Sequence, residues 1–269
     1  MGPEYAQSQM RSLRKILLNH LPEKAKILDL CCGTGHVMAA LVKEGYHVTG
    51  IDGSEAMLAY ADKNASSAGI TQADARSFIV ETQFDAVIST SASLNHMMSL
   101  EDLKQVFQCV HNALKENGIF TFDINHRDQM EKWWRGKVVE GEIESNFAWF
   151  LVPTYDGDRA EGNFQVTLFK APKARQNSLF SPFLRRIIYA ILKLRRLTRF
   201  RFKLLSNFRR WEKQWERSDM TYPVKGYTLP EVTTALQDTG FTNIQVCTVD
   251  GSPKVDSNHS AHFVCQKAF

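Results

Sequence analysis

Between residues 25 and 124, short apolar runs alternate with stretches whose apolar residues recur at helical spacing. The runs AKILDL, HVTGID, FDAVIST and GIFTFDI have the length and composition of buried strands. Strands that alternate with helices predict a parallel, doubly wound sheet with helices on both faces. We therefore expect an α/β fold, and a chain of 269 residues is long enough for such a core with an addition to it.

The rest of the chain departs from this alternation. The runs NFAWFLV, NFQVTLF and WEKQWERSDMTY predict an antiparallel β addition, and TLPEVTTALQDTG predicts a helix that two strands follow. The expected segments are a core over residues 1–132, an addition over 133–222 with a basic insertion at 171–211, and a closing helix and β-hairpin over 223–269.

Helix boundaries follow from apolar spacing and from capping residues. The spacing predicts a first helix over residues 7–21. Ser54 is the expected N-cap of a helix that continues to residue 66. The helix that starts at Glu101 is predicted to stop at Gly118.

Composition and the N-terminal residues indicate the cellular setting. No apolar run approaches the ~20 residues that a membrane-spanning helix needs, and the first residues contain neither an apolar signal core nor a myristoylation pattern. We therefore expect a cytoplasmic protein. The five cysteines include no C-x-x-C pair, so the sequence predicts neither a disulfide framework nor a metal site.

Positive charge is concentrated in one segment. Residues 171–211 contain twelve Lys or Arg and no Asp or Glu, whereas the rest of the chain has 21 basic and 29 acidic residues. Apolar residues recur at helical spacing between the basic ones, which predicts an amphipathic basic helix. Such a helix suits a lid, an anionic membrane surface, nucleic acid or an acidic substrate. We favour a lid, with peripheral membrane contact as the next alternative.

After the first predicted strand, LDLCCGTG carries two glycines, Gly33 and Gly35, spaced as in a dinucleotide-binding loop. Pyrophosphate binding needs a third glycine, and that position is Met38; a P-loop motif is absent as well. A nucleoside ligand without a pyrophosphate remains. Asp29 would face a cationic ammonium group, and Asp52, at the end of the second strand, would accept from both ribose hydroxyls. S-Adenosylmethionine has these features.

These motifs resemble those of the class I S-adenosylmethionine-dependent methyltransferases. The glycine motif is LDLCCGTG, the ribose-binding acid lies in GIDGSEAML, the adenine-binding acid lies in ADA, and the fourth and fifth strands are FDAVIST and GIFTFDI. The motifs cover residues 26–125 in order, and the closing helix and two strands match the final hairpin of that family. The resemblance implies a Rossmann-like methyltransferase fold with S-adenosylmethionine as cofactor.

A narrower likeness concerns the acceptor. The stretch SASLNHMMSLEDLKQVFQCVHNALKENGIFTFDIN resembles the small-molecule branch that includes amino-sugar and glycine N-methyltransferases. It implies a small-molecule methyl acceptor, methylated at nitrogen or oxygen, and a reaction without a metal.

The resemblance also assigns site residues. Contacts with the cofactor are expected at Asp29, Cys31, Gly33, Thr34, Gly35, Asp52, Gly53, Met57, Asp74, Ala75 and Thr90. His96 follows the fourth strand, where the acceptor would meet the methyl group; it either acts as a catalytic base or orienting group or only shapes the pocket. Asp123 and His126 are weaker candidates, and Cys31 and Cys32 are expected to pack beside the cofactor and not to act as nucleophiles.

Two other functions remain as alternatives to small-molecule methylation. A nucleic-acid methyltransferase would explain the basic segment, but the [ND]-P-P-[YFW] motif of base-amine methylation is absent after the fourth strand. A non-catalytic, cofactor-binding regulatory protein would keep the glycine loop and lack turnover. An α/β hydrolase is excluded because the chain has no G-x-S-x-G motif.

Overall fold

The computed structural model describes residues 3–172 and 182–268. The chain divides into two compact units, one formed by Met1–Gln129 with Lys225–Phe269 and the other by Met130–Val224. Four positions of the basic segment that were counted toward the predicted helix or its charge lie outside the described residues: Lys173, Arg175, Leu179 and Phe180.

The helices are, in chain order, α1 (Pro3–Ile16), α2 (His36–Lys43), α3 (Glu55–Asn64), α4 (Leu100–Ala113), α5 (Arg127–Trp133), α6 (Pro182–Leu192), α7 (Thr198–Ser206), α8 (Phe208–Trp211) and α9 (Leu229–Asp238). Short 3-10 helices lie at Leu18–His20, Ser93–His96 and Arg195–Leu197. The strands are β1 (Lys26–Leu30), β2 (His47–Asp52), β3 (Gly69–Gln72), β4 (Phe84–Ser89), β5 (Leu114–Ile124), β6 (Glu140–Ile143), β7 (Phe147–Asp156), β8 (Glu161–Lys170), β9 (Glu216–Lys225), β10 (Phe241–Cys247) and β11 (Ala261–Lys267).

A seven-stranded sheet forms the centre of the first unit. Its order is β10-β11-β5-β4-β1-β2-β3. The strands from β3 to β5 pair in parallel, and β11 and β10 pair antiparallel at the other edge. This confirms the predicted doubly wound, mostly parallel sheet. Strand order reverses between β1 and β4, so the crevice for a ligand lies outside the carboxyl ends of these strands.

The packing of α2 against β2 explains why position 38, where a dinucleotide-binding loop has its third glycine, can be a methionine. A Cβ placed on Gly50, in β2, would lie 2.5 Å from the sulfur of Met38 and 2.8 Å from the sulfur of Cys32. The Met38 side chain is fully buried. The glycine that permits close approach of helix and strand is therefore on the strand, and the helix carries the large side chain.

The end of α4 differs from the prediction. The helix stops at Ala113, and β5 begins directly with Leu114 instead of after Gly118. Leu114 is fully buried and pairs with Phe84 of β4, after which the register of the two strands shifts. Burial of Leu114 in the sheet core, which local sequence does not encode, ends the helix one turn earlier than its glycine would.

Other boundaries also differ from the sequence prediction. Helix α1 ends at Ile16 and a 3-10 turn follows, whereas the spacing predicted one helix to residue 21. Ser54 is the N-cap of α3, as predicted, and accepts a hydrogen bond from the Met57 amide. The short elements α5 and β6 were not predicted, because neither is long enough for its periodicity to be recognised.

The second unit is built on a four-stranded sheet with helices packed against it. The order of strands is β6-β7-β8-β9, and β6, β7 and β8 pair antiparallel. Phe150 and Phe169 of the sheet share a core with Tyr189, Leu205 and Phe208 of the helices. The predicted antiparallel addition is thus confirmed, although β9 begins only at Glu216 and the first residues of WEKQWERSDMTY are not strand.

The basic insertion is not one continuous helix. Its described part, residues 182–211, contains three helices, α6 to α8, with a 3-10 turn between the first two. Tyr189 and Leu192 of α6 and Leu205 of α7 are all buried in the same core, so the chain has to turn between the helices to bring these side chains together. The prediction of a single amphipathic helix is therefore wrong in its extent.

Candidate cofactor site

The loop between β1 and α2 contains two glycines with different structural roles. Both have positive φ, +55° at Gly33 and +74° at Gly35. A Cβ on Gly35 would lie 2.9 Å from the Cα of Ala61 in α3, whereas a Cβ on Gly33 would meet no atom within 4 Å. Gly35 is therefore required by packing between helices, and Gly33 leaves open space above the loop where a ligand can approach the backbone.

Asp52, the last residue of β2, connects two loops at the carboxyl edge of the sheet. Its Oδ2 accepts a hydrogen bond from the Gly33 amide at 2.9 Å, and its Oδ1 accepts one from the Ser54 amide at 2.8 Å. A carboxylate oxygen can accept more than one hydrogen bond, so each oxygen keeps capacity for a hydroxyl donor. Two such oxygens held in a fixed orientation suit the paired hydroxyls of a ribose.

Asp29 lies next to this loop, in β1, and only 1% of its surface is exposed. Its Oδ2 has no hydrogen-bond partner. Burial, with a smaller contribution from the charge of Asp52, raises the pKa of Asp29 from 3.8 to about 8. Buried polar atoms without a partner are rare in folded proteins, and a cationic group of a ligand would satisfy this one.

Asp74 has a close partner that sequence analysis missed. The Arg76 guanidinium donates to both carboxylate oxygens of Asp74 and also to Asp102, and the Arg76 amide donates to Asp74 Oδ1. These hydrogen bonds lower the pKa of Asp74 to about 2. The signal available in the sequence was an arginine two residues after an aspartate in a turn. The carboxylate is therefore ionised and already held by a cation.

A cleft of about 680 Å³ brings together several of the predicted residues. Its lining includes five of them: Cys31, Gly53, Asp74, Ala75 and His96. The sequence predicted that His96 lies beside the transferred methyl group, and the fold places this side chain in the same cleft as the residues expected to hold adenine. Burial raises the pKa of the Cys31 thiol to about 12, so Cys31 is a neutral wall of this cleft and not a nucleophile.

The remaining predicted residues lie outside that cleft. The Thr34 carbonyl accepts from the side chain of Asn64, and Met57, in the first turn of α3, is partly exposed. Thr90 follows β4 and lines a small cavity of about 10 Å³ with Asp123 and His262. The sequence-predicted set is thus divided between the loop after β1, the large cleft and this smaller cavity.

The segment that carries His96 is held by two side chains that the sequence did not indicate. Asn95 is fully buried; its amide donates to the carbonyls of Asn125 and Lys225, and its oxygen accepts from the Asn125 amide. The Tyr227 hydroxyl lies 2.6 Å from the Met97 carbonyl oxygen, to which it donates. These contacts join residues that are distant in sequence, so no local sequence pattern predicts them.

Asp123 has a structural role at the end of β5. Its Oδ2 accepts from the Ala92 amide at 3.0 Å. Ser91 and Ala92 have positive φ, of 71° and 54°, a conformation that needs such support in residues with a side chain. Burial raises the pKa of Asp123 and lowers that of its cross-strand neighbour His262, and each charge opposes the shift of the other. Asp123 therefore fixes the turn after β4.

The described residues, 3–172 and 182–268, contain no group of three or more His, Cys, Asp or Glu that could hold a metal ion. Among the same residues, no helix has the length and apolar character needed to cross a membrane.

Part of the chain is similar to known methyltransferases. A profile described as a methyltransferase domain matches residues 27–118. The putative methyltransferase YqeM of Bacillus subtilis is 42% identical over 109 residues, which are 39% of this chain and 44% of that protein. A dTDP-3-amino-3,4,6-trideoxy-alpha-D-glucopyranose N,N-dimethyltransferase of Streptomyces venezuelae is 28% identical over 133 residues, which are 49% of this chain and 52% of that enzyme. The chain spans about half the length of the curated relatives it matches.

The fold of the chain is also similar to that of a solved methyltransferase. The crystal structure of an S-adenosylmethionine-dependent methyltransferase from Clostridium acetobutylicum superposes with a TM-score of 0.72 at 17% identity, and the match covers 98% of this chain and 92% of that one. Residues 27–118 match a methyltransferase domain, and the chain has the fold of S-adenosylmethionine-dependent methyltransferases. The matched residues extend from β1 to the start of β5, and so include the glycine loop, Asp52, Asp74 and His96.

The residues of this site fit S-adenosylmethionine. The unsatisfied, buried oxygen of Asp29 suits an ammonium group, the open space at Gly33 suits close approach of a ligand to the backbone, and the two oxygens of Asp52 suit the ribose hydroxyls. When bound, S-adenosylmethionine would supply an electrophilic methyl group. Each of these three features comes from the end of a strand or the loop after it, at the point where the strand order reverses.

Proposed function

We propose that this protein transfers a methyl group from S-adenosylmethionine to an amine of a small-molecule acceptor. One observation supports the cofactor above all: the buried Asp29 carboxyl has an oxygen without a partner, directly beside a loop that leaves open space for a ligand. The acceptor class is supported by the relative from Streptomyces venezuelae, whose name describes N,N-dimethylation of an amino sugar.

In this proposal Asp29 holds the ammonium of the cofactor, Asp52 accepts from its ribose hydroxyls, and Asp74 with Ala75 receives the adenine. The cofactor site is completed by the backbone and side chains of Cys31, Gly33, Thr34, Gly35, Gly53, Met57 and Thr90. The Asp74 carboxylate already accepts hydrogen bonds from Arg76. The adenine amino group therefore has to donate to a lone pair that remains on that carboxylate, or displace the arginine.

The acceptor nitrogen has to be neutral to attack the methyl group, since an ammonium has no free electron pair. His96, in the segment after β4, takes the proton of the acceptor or orients it. Positioning of the acceptor in line with the bond that breaks, and exclusion of water, provide the rest of the rate enhancement. No metal takes part in this scheme.

A turnover assay with a panel of acceptors tests this proposal. The purified protein and S-adenosylmethionine are incubated separately with amino-sugar nucleotides, glycine, small alcohols and transfer RNA, and S-adenosylhomocysteine is quantified. We expect product with an amine acceptor. Turnover with RNA alone would establish the nucleic-acid alternative, and tight cofactor binding without turnover of any acceptor would establish the regulatory one.

A further inference from the structure

Helix α6 carries apolar side chains on two opposite faces. Tyr189 and Leu192 are buried in the core of the second unit. Phe183, Ile187 and Ile191 are 73%, 40% and 48% exposed. These three residues are four apart, so they form one row along the helix, roughly opposite to the buried face. The packing of the second unit therefore accounts for only one apolar face of this helix.

Two large apolar residues that follow α6 in the sequence are exposed as well. Leu194, which follows α6, is 58% exposed, and Phe200 in α7 is 54% exposed. Large apolar side chains that are exposed in a row on one helix face mark a surface that binds a partner or a membrane. The five exposed residues Phe183, Ile187, Ile191, Leu194 and Phe200 are called the apolar row below.

Exposed basic residues lie in the same helical segment as the apolar row. Five exposed basic residues of the same segment have no ion-pair partner among the described residues: Arg186, Arg196, Arg199, Lys203 and Arg210. The sequence from 171 to 211 contains no Asp or Glu that could neutralise them. Lys193 pairs with Glu142 of β6 and with Glu144, which follows that strand, and the charge of Arg209 helps to lower the pKa of Asp219. The surface thus combines large apolar groups with uncompensated cations.

We propose that this surface binds an anionic lipid bilayer, with α6 lying in the plane of the interface. The apolar row would insert between the lipid headgroups, and the arginines would contact the phosphates. A helix with an apolar face and a flanking set of Lys and Arg binds membranes in this way. Nucleic acid would bind the cations but would make no favourable contact with a row of exposed isoleucines. Positive charge and apolar side chains together therefore favour a bilayer.

Vesicle sedimentation of the full-length protein tests the proposal. Vesicles of phosphatidylcholine alone are compared with vesicles that also contain phosphatidylserine. We expect binding to the anionic vesicles only, and a loss of roughly 100-fold in affinity for the triple variant Arg196→Gln, Arg199→Gln, Lys203→Gln, because each basic residue near an acidic surface contributes about a factor of five. The matched charge control is Lys24→Gln, Lys43→Gln, Lys63→Gln, which removes three exposed lysines of the first unit and should bind like the wild type.

The apolar row is tested separately. The double variant Ile187→Ser, Ile191→Ser should weaken vesicle binding by at least about tenfold, since burial of each isoleucine in the bilayer is lost. Ile79→Ser removes an isoleucine that is 92% exposed in the first unit and should have no effect. Because all of these side chains are exposed, the melting temperature should not change in any variant.

A direct readout of insertion comes from Ile191→Trp, whose added fluorescence should be quenched by brominated lipids. The proposal is overturned if the wild type does not sediment with anionic vesicles, or if the isoleucine variant binds them like the wild type. It is also overturned if the basic residues prove to bind transfer RNA with steep salt dependence while vesicles are ignored. None of these measurements depends on methyl transfer, so the proposal stands or falls independently of the catalytic one.

Discussion

Folding and cofactor binding favour different protonation states of the buried Asp29 carboxyl. Its folded-state pKa of about 8, against 3.8 for an ordinary Asp, means that the folded protein retains a proton that the unfolded chain has lost. The contribution of this protonated carboxyl to the free energy of unfolding is fully present below pH 3.8. It is lost as the pH rises through 8. A ligand ammonium would favour the ionised form and recover part of that loss.

Asp29→Asn should therefore stabilise the protein without cofactor at alkaline pH. Since the amide does not titrate, the variant should have the same stability as the wild type near pH 4 and exceed it by more than about 1 kcal/mol above pH 8, which is roughly 2 to 4 °C in Tm. Thermal unfolding across this pH range measures the difference. Asp62→Asn, at an exposed position of α3, is the control and should leave the pH profile unchanged. Parallel profiles for wild type and Asp29→Asn would contradict the assignment.

Asp52 has both a structural and a ligand-binding role, and its replacement should affect both. Asp52→Ala removes the acceptor of the Gly33 and Ser54 amides and leaves the ribose hydroxyls without a partner. We expect affinity for S-adenosylmethionine to fall by roughly 1.5 to 3 kcal/mol, the usual value of a charge-assisted hydrogen bond. Calorimetric titration measures it, with Glu55→Gln, an exposed acid nearby, as the control. Unchanged affinity of Asp52→Ala would refute the ribose assignment.

His96 can be tested through the separation of rate from affinity. If it accepts a proton or orients the acceptor, His96→Ala should lower kcat by about 10²- to 10⁴-fold, with little change in cofactor affinity. Steady-state kinetics with an amine acceptor, beside calorimetric titration of the cofactor, measures both quantities. Because His96 shares its cleft with Asp74 and Ala75, the opposite result is informative: weaker cofactor binding with kcat retained would make His96 a wall of the adenine pocket.

At the scale of elements, the contact between α2 and β2 depends on the pair Met38 and Gly50. Gly50→Ala would place a Cβ 2.5 Å from the Met38 sulfur, and the resulting overpacking should cost roughly 1 to 3 kcal/mol of stability. Urea unfolding measures this loss. Met38→Ala by itself leaves a cavity, and the double variant should lose less stability than the sum of the two single losses, because the clash is gone.

Gly69→Ala, on the neighbouring strand β3, is the matched control for that experiment. A Cβ there would lie 3.4 Å from Thr49 Oγ1, which is close but tolerable, so its cost should be small. Equal losses for the two glycine variants would show that strand propensity and not the helix contact explains the effect of Gly50→Ala.

Elements whose ends are fixed by local chemistry were predictable, and those fixed by burial were not. Ser54 caps α3 because its hydroxyl accepts from an amide three residues on, a contact contained within one short sequence. Leu114 ends α4 through its place in the sheet core, and Tyr189 and Leu205 divide the basic segment into separate helices by packing in one core. Such contacts join distant parts of the chain and leave no local signal.

For the whole molecule, cofactor binding should appear as added stability. S-Adenosylmethionine at a free concentration of 100 times its Kd should stabilise the protein by about 2.7 kcal/mol, or roughly 5 to 10 °C in Tm. Thermal shift assays measure it. S-Adenosylhomocysteine, which retains the ammonium, ribose and adenine, should act similarly, and adenosine alone should be weaker because it has no group for Asp29. A larger shift with NAD would contradict the assignment of S-adenosylmethionine as the cofactor.

The sequence by itself determined the class of fold and the resemblance to methyltransferases, because alternating strands and helices and an ordered set of loop motifs are local patterns. It also indicated Gly33, Gly35 and Asp52, since each has a fixed place relative to a strand end. Only the tertiary structure decided that Arg76 holds Asp74, that Asn95 and Tyr227 anchor the segment of His96, and that α6 exposes a second apolar face. The physical reason is that these features depend on which side chains are buried together, and burial is a property of the folded chain as a whole.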